Sequence, residues 1–409
     1  MFQPGMINSY VMLGHLLAPG RRQEQLEQIF EKYQIDWRSL LLQANLHLCT
    51  PLWFVRMRDA EFLSFLPSDL LDYLQQLYMA NKERNEAFRH ALSAFLISLK
   101  ESSIPIILLK GAATFCDDLF EDPGARLMGD IDILVKPHHA DVVLSILNQQ
   151  GYRECTVAEE QDFAFAPDFQ SHHHLPRRCL SGSPVELEIH IRVDRGQAGR
   201  VLTAETAWNE NEVAEIDGIP VKVLTPTYRL LHNTLHALLP RREFIRSNIS
   251  LQQLAEFSFI VRRYADRIDW KEWYARGSGQ GLAVEFSTYL TLAERLMGLP
   301  YPHVVPRHRM AERHARRIAS VGALLPVICD INRNKIGWIR GKYFIALNWV
   351  YYQLARPLWI WRNPCYASGR RNLPRRIIYL GSYIYAVGRE KLSRLCRQID
   401  DHHLGKQGL

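Results

Sequence analysis

Two aspartates stand one residue apart in RLMGDIDILVK (126–136), inside a run that is otherwise apolar. In an extended strand residues i and i+2 point the same way, so Asp130 and Asp132 project from one face and Ile131 and Ile133 from the other. Two close ionised carboxylates repel each other, and one of them takes up a proton unless a cation neutralises the pair. Magnesium held by carboxylates and substrate phosphates is a cation of that kind. A second ion would let one metal polarise an attacking hydroxyl while the other steadies the leaving group. A third carboxylate then serves as ligand or base, and VELEIHIRV (185–193) supplies candidates. Val185, Leu187, Ile189, Ile191 and Val193 fall on one face there, and Glu186, Glu188, His190 and Arg192 on the other. This is the clearest period-two alternation in the chain. Glu186 and Glu188 both qualify as the third acid.

The elements that must carry these acids are legible in outline. Residues 20–100 read as helical, with apolar residues at three- and four-residue steps and Ser68-Asp69 as a helix start. IPIILLKG (104–111) reads as a short buried strand closed by glycine, and AATFCDDLF as the helix after it. EDPG (121–124) is a turn, GDIDILV the next strand and HHADVVLSILNQQG a helix ending near Gly151. IDGIPVKVLTP reads as a hairpin turning at Asp217-Gly218. From Thr227 to about Leu296 the helical period returns, with Tyr228, Leu231, Leu235 and Leu238 roughly in line.

The chain has 409 residues and a net charge of +7, with 50 Lys/Arg against 43 Asp/Glu. The charge is uneven: from Val321 onward 15 Lys/Arg face 4 Asp/Glu, so the basic surplus lies in the C-terminal stretch. Such a stretch points to an anionic partner, either nucleic acid or a membrane surface. The seven cysteines are scattered, without a C-x-x-C pair, which reads as a reducing, cytoplasmic setting. The N-terminus lacks the basic leader of a signal peptide, and no apolar run is long enough for a spanning helix. Neither a G-x-S-x-G nor a P-loop motif occurs, so serine-hydrolase and P-loop chemistry have no support.

LLKGAATFCDDLFEDPGARLMGDIDILVKPHHADVVLSILNQQGY resembles the core of the DNA polymerase beta-type nucleotidyltransferase superfamily. More narrowly it is similar to a bacterial nucleotidyltransferase-like family whose core reads K-G, R-x-x-x-D-h-D-h-h-V and a downstream E-h-H. Here these are Lys110-Gly111, Arg126 with Asp130, Asp132 and Val135, and Glu188-Ile189-His190. The likeness runs through HHLP (173–176), GIPVKVLTP and LLHNTLHALL and covers roughly residues 85–265. It implies an α/β (α+β) fold: a mixed-sheet nucleotidyltransferase core with helical N- and C-terminal regions. The domain boundaries that follow are 1–100, 101–225, 226–320 and a basic, aromatic-rich 321–409. The resemblance also implies an NTP and Mg2+, as two ions, with Asp130, Asp132 and Glu188 as catalytic and metal-binding residues. Gly111 would let the triphosphate approach the backbone at a helix start. Lys110 would contact a phosphate or simply reach solvent, and Arg126 would touch phosphate or brace Asp130. His190 would orient Glu188 or touch substrate, and His174 would line the cleft.

The remaining histidines read as structural. Three in a row at 172–174 alternate faces and cannot share one ion easily, so no structural zinc is expected. His232 and His236 have i,i+4 spacing, yet lack an acid in register and read as a helix packing on the sheet. The segment 335–397 mixes aromatics with arginines, which suits RNA, a membrane interface or packing on the body. The function expected is nucleotidyl transfer to an acceptor hydroxyl on RNA, protein or a small molecule. The alternatives are a non-catalytic nucleotide-binding or regulatory protein of the same fold, and a membrane-peripheral protein acting through its tail.

Overall fold

The computed structural model describes residues 8–21, 23–155, 173–240 and 243–323. The tail expectations for 335–397 fall outside the described residues.

The sheet that carries the acids has seven strands: β1 Ile107–Leu108, β2 Ile131–Leu134, β3 Arg153–Glu154, β4 Arg178–Cys179, β5 Glu186–His190, β6 Asn211–Ile216 and β7 Ile219–Leu224, in the order β3-β4-β5-β2-β1-β7-β6. β2 pairs with β5 and β1 with β7 in parallel, while the other neighbours run antiparallel. The sheet is therefore mixed, as the resemblance implied. β6 and β7 form the expected hairpin: Asp217 and Gly218 both take positive φ (52° and 75°), the pair of left-handed residues that a two-residue hairpin turn requires.

Helices cover one face of this sheet and enclose the rest. They are α1 Ser9–Leu17, α2 Gln23–Lys32, α3 Trp37–Leu46, α4 Thr50–Asp59, α5 Ser68–Glu101, α6 Ala140–Gln149, α7 Gly196–Val201, α8 Ala204–Asn209, α9 Pro226–Leu238, α10 Glu243–Arg246, α11 Leu251–Arg263, α12 Trp270–Gly279, α13 Ala283–Met297 and α14 Ala311–Gly322. α5 begins at Ser68, where the sequence signals placed a start, and Asp69 in its first turn favours the positive end of the helix. Phe88, Leu92, Phe95 and Leu99 recur along one stripe of α5 and are buried against Ile131, Ile133, Leu187 and Ile189. Val143 and Leu147 of α6 join the same core. Each such side chain contributes about 1.5–3 kcal/mol by leaving water. The apolar face of the β2–β5 pair is thus committed to α5 and α6, which leaves its acidic face to the site.

Two local readings are corrected. The expected strand at 104–111 shrinks to Ile107–Leu108, and AATFCDDLF is no α-helix: Lys110–Phe115 forms a six-residue 3-10 turn. A 3-10 turn this short has little of the aligned dipole expected to receive an anion. The scatter of cysteines also hides a pair. β3 and β4 run antiparallel, bring Cys155 and Cys179 to a Cα–Cα separation of 5.3 Å, and a disulfide joins them. Cys49 and Cys116 are free thiols.

The first helices pack on the last ones. Tyr10 donates its hydroxyl to the Ile249 carbonyl at 3.0 Å, and Asn8 Nδ2 donates to the Ala319 carbonyl at 2.7 Å. No helix among the described residues is long and apolar enough to cross a membrane.

Candidate active site

The parallel register of β2 and β5 places Asp132 opposite Glu188 and Leu134 opposite His190. Asp130 and Glu186 precede the Ile131–Leu187 pair and form the next rung outward. Because side chains alternate along both strands, the two rungs of acids share one face. The inner rung is deeply buried: Asp132 is 2% exposed and Glu188 4%, with His190 fully enclosed behind them. The outer rung is open to solvent, with the Glu186 side chain 37% exposed.

His190 joins the inner acids. Its Nε2 lies 2.8 Å from Asp132 Oδ1 and 3.5 Å from Glu188 Oε2. Among the described residues, Asp132, Glu188 and His190 are the group of ligand atoms close enough to share one ion, all within 4.8 Å of one another. Asp130 stands outside this group, although the sequence pattern made it a metal ligand on a par with Asp132. The donor set of two carboxylates and one imidazole fits a divalent cation. His190 Nδ1 is buried and has no partner, so the backing that usually fixes a metal-bound imidazole does not come from the described side chains.

Cations of the chain itself already offset part of the acids' charge. Lys110 Nζ lies 2.6 Å from Asp132 Oδ1. Arg177 Nε lies 2.6 Å from Glu188 Oε1, and the same guanidinium reaches Glu186 at 3.3 Å and Asp130 at 3.8 Å. The electrostatic reasoning from sequence named both a proton and a cation as relief for the like charges, but took the cation to be a metal ion. Relief comes in the two ways that the repulsion permits. Burial and the neighbouring charges of Asp132 and Glu188 push Asp130 up to about 7, so this carboxyl holds a proton for part of the time at neutral pH. Burial works against ionisation of Asp132 too, yet Lys110 and the His190 hydrogen bond outweigh it and hold the carboxyl well below its usual range. Glu188 is held at about 2, burial being overcome by the His190 hydrogen bond and the Lys110 charge.

Lys110 reaches Asp132 from a backbone conformation that L-residues rarely adopt, φ 46°. A non-glycine residue in that region stores strain, a recurrent feature of functional sites. Gly111 follows, and a Cβ there would come within 2.4 Å of Arg126 Nη1. The Arg126 guanidinium therefore lies against the surface that the sequence reading left open for a triphosphate. It does not brace Asp130: its Nε bonds Glu256 of α11 at 2.9 Å.

Four further histidines lie near this site. The imidazoles of His173 and His174 lie 5.1 and 5.6 Å from that of His190, and His174 bridges His190 through the backbone. His174 thus does line the site, and His173 joins it. His232 and His236 lie on α9, which packs against β7 and the Lys110 turn. Burial, then the Lys110 charge, pushes both down, His236 to about 3, so they present neutral imidazoles. Sequence reasoning missed Arg177 and Asp194. Asp194 extends the parity of Glu188, His190 and Arg192, which could have flagged it; it is buried, and burial raises its pKa. Arg177 had no such signal, because only the β4–β5 pairing carries it over the acids.

The chain belongs to a family of uncharacterised nucleotidyltransferases, whose sequence model matches residues 33–298. This span reaches further in both directions than the motif-bearing stretch of 85–265 and takes in most of the flanking helices. No curated protein and no solved structure matches the chain.

Proposed function

We propose that the protein transfers a nucleoside monophosphate from an NTP to an acceptor hydroxyl and releases pyrophosphate. The observation that carries this reading is the Asp132–Glu188 rung with His190 behind it, on parallel strands of a nucleotidyltransferase-family chain. A divalent cation held by Asp132 and Glu188, magnesium being the expected one, would offset the charge of the triphosphate and orient its oxygens. Asp132 stays ionised for that purpose because Lys110 and His190 stabilise its charge. Glu188, also ionised, would share the cation. Lys110 and Arg126, both close to Gly111, would meet phosphate oxygens. A polymerase beta-type core and an anionic acceptor such as RNA belong to the same proposal.

The test is incubation of the full chain with each labelled NTP, Mg2+ or Mn2+ and a cell extract. Asp132→Asn keeps the shape of the side chain and a hydrogen-bonding oxygen for Lys110. Label transfer that survives this change sinks the assignment. One observation favours a second reading, a protein of this fold without catalysis: Lys110, Arg177 and His190 satisfy the acids with no metal required. Tight NTP binding with no transfer under any of these conditions would select it.

A further inference from the structure

Arg177 belongs to neither of the strands that carry the acids. It stands one residue before β4, and the antiparallel register of Arg178 with Leu187 and Cys179 with Glu186 carries it across the acid face. Its three nitrogens contact three different carboxylates, those of Glu188, Glu186 and Asp130. Glu188 has no oxygen to spare: Oε1 is taken by Arg177 and Oε2 lies against His190. A divalent cation that binds both Asp132 and Glu188 must therefore break the Arg177–Glu188 pair or crowd a guanidinium, which never loses its charge. The two resident cations differ in how easily they can leave. The Lys110 side chain is only 20% exposed, whereas that of Arg177 is 43% exposed and borders solvent.

We propose that Arg177 is an exchangeable counter-cation. It holds the acid face while the site is free of metal, yields Glu188 to the entering divalent cation, and takes up the polyphosphate that arrives with it. The second half rests on the nucleotidyltransferase reading; the competition with metal does not. A cation entering alone strips Arg177 of its partners and leaves two like charges close together. A cation entering with a triphosphate supplies Arg177 with oxygens in the bidentate geometry that a guanidinium prefers. Metal and nucleotide consequently bind with positive coupling, and Arg177 is a source of that coupling.

The experiment is a Mn2+ titration of the full chain, read from the electron paramagnetic resonance signal of the free ion. It is run with and without the α,β-methylene analogues of the four NTPs, which cannot transfer. Arg177→Gln is expected to bind Mn2+ alone about tenfold more tightly than the wild type, and an effective analogue should tighten Mn2+ binding by about tenfold in the wild type but far less in the variant. Arg177→Lys, which keeps the charge but loses the fork, should fall between them and gives a result even if the glutamine variant folds poorly. Glu188→Gln should weaken Mn2+ binding in either background, which ties the signal to this site. Mn2+ binding to Arg177→Gln that equals or falls below the wild-type affinity overturns the proposal. A tighter variant with every analogue inert in both proteins overturns the phosphate half together with the nucleotide reading, and leaves the competition standing.

Discussion

Two ionic clusters among the described residues are built on different balances. In one, Arg229 of α9 places Nη1 2.5 Å from Asp117 Oδ2, and Tyr264 donates its hydroxyl to the same oxygen at 2.6 Å. One acid meets one base and one phenol, beside a cavity of about 90 Å³ that Cys116 and Glu212 also line. In the other, four carboxylates on β2, β5 and the turn before β2 face two permanent cations, Lys110 and Arg177. The first cluster pairs its charges one to one, although Asp117 Oδ1 and Arg229 Nε and Nη2 stay without hydrogen-bond partners among the described residues, and its contribution is to tie the chain after the 3-10 turn to α9 and the end of α11. The second carries surplus negative charge, which the chain relieves by protonating Asp130 and by borrowing an exposed arginine. A balanced buried pair reads as structure, and an unbalanced one leaves room for a partner from outside.

That contrast can be broken by substitution. Asp132→Asn is expected to lower nucleotidyl transfer about a thousandfold or more while shifting the melting temperature by only a few degrees, since the amide keeps the side chain's shape and an oxygen for Lys110. A rate loss matched by unfolding would erase the distinction. Among the two glutamates, Glu188→Gln should cost about a hundredfold or more in rate, and Glu186→Gln, on the open outer rung, less than about threefold. Equal losses would move the third acid to Glu186. Arg229→Ala should do the reverse of Asp132→Asn. It strands Asp117 and is expected to cost about 3–5 kcal/mol of stability, read by denaturant unfolding, with activity per folded molecule unchanged.

The smallest effect concerns acid pH. His47 is buried with its ring 5.4 Å from that of Tyr10, and burial lowers it to about 4 from an ordinary 6.5. Its folded-state pKa lies below the unfolded one, so the unfolded chain binds the extra proton first. The stability that the neutral ring provides is full above pH 6.5 and is lost as the pH falls towards 4. Melting temperatures measured between pH 7 and 4.5 should fall less steeply in His47→Leu than in the wild type. Parallel curves would show that His47 is not a source of the acid sensitivity.

Much of the architecture was visible before folding was considered. Apolar residues at three- and four-residue steps and the Ser68-Asp69 start marked α5, and Asp217-Gly218 marked the hairpin. The strand 104–111 was overdrawn because a short apolar run carries no period of its own to mark where it ends, and the Lys110 turn interrupts it. The Cys155–Cys179 pair was invisible because it depends on β3 meeting β4 across the intervening chain. Arg126 kept its place beside Gly111, but its partner, Glu256, lies 130 positions away, where no spacing rule reaches.

Local sequence determined that Asp130 and Asp132 share a face, and that Glu186, Glu188 and His190 share another, because alternation is a property of a single extended backbone. Tertiary structure alone decided that these two faces are the same face, that Glu188 and not Glu186 lies opposite Asp132, and that Lys110 and Arg177 neutralise them. Pairing register and charge partners are set by segments distant in sequence. They emerge only when burial of the apolar side has fixed how the two strands lie together.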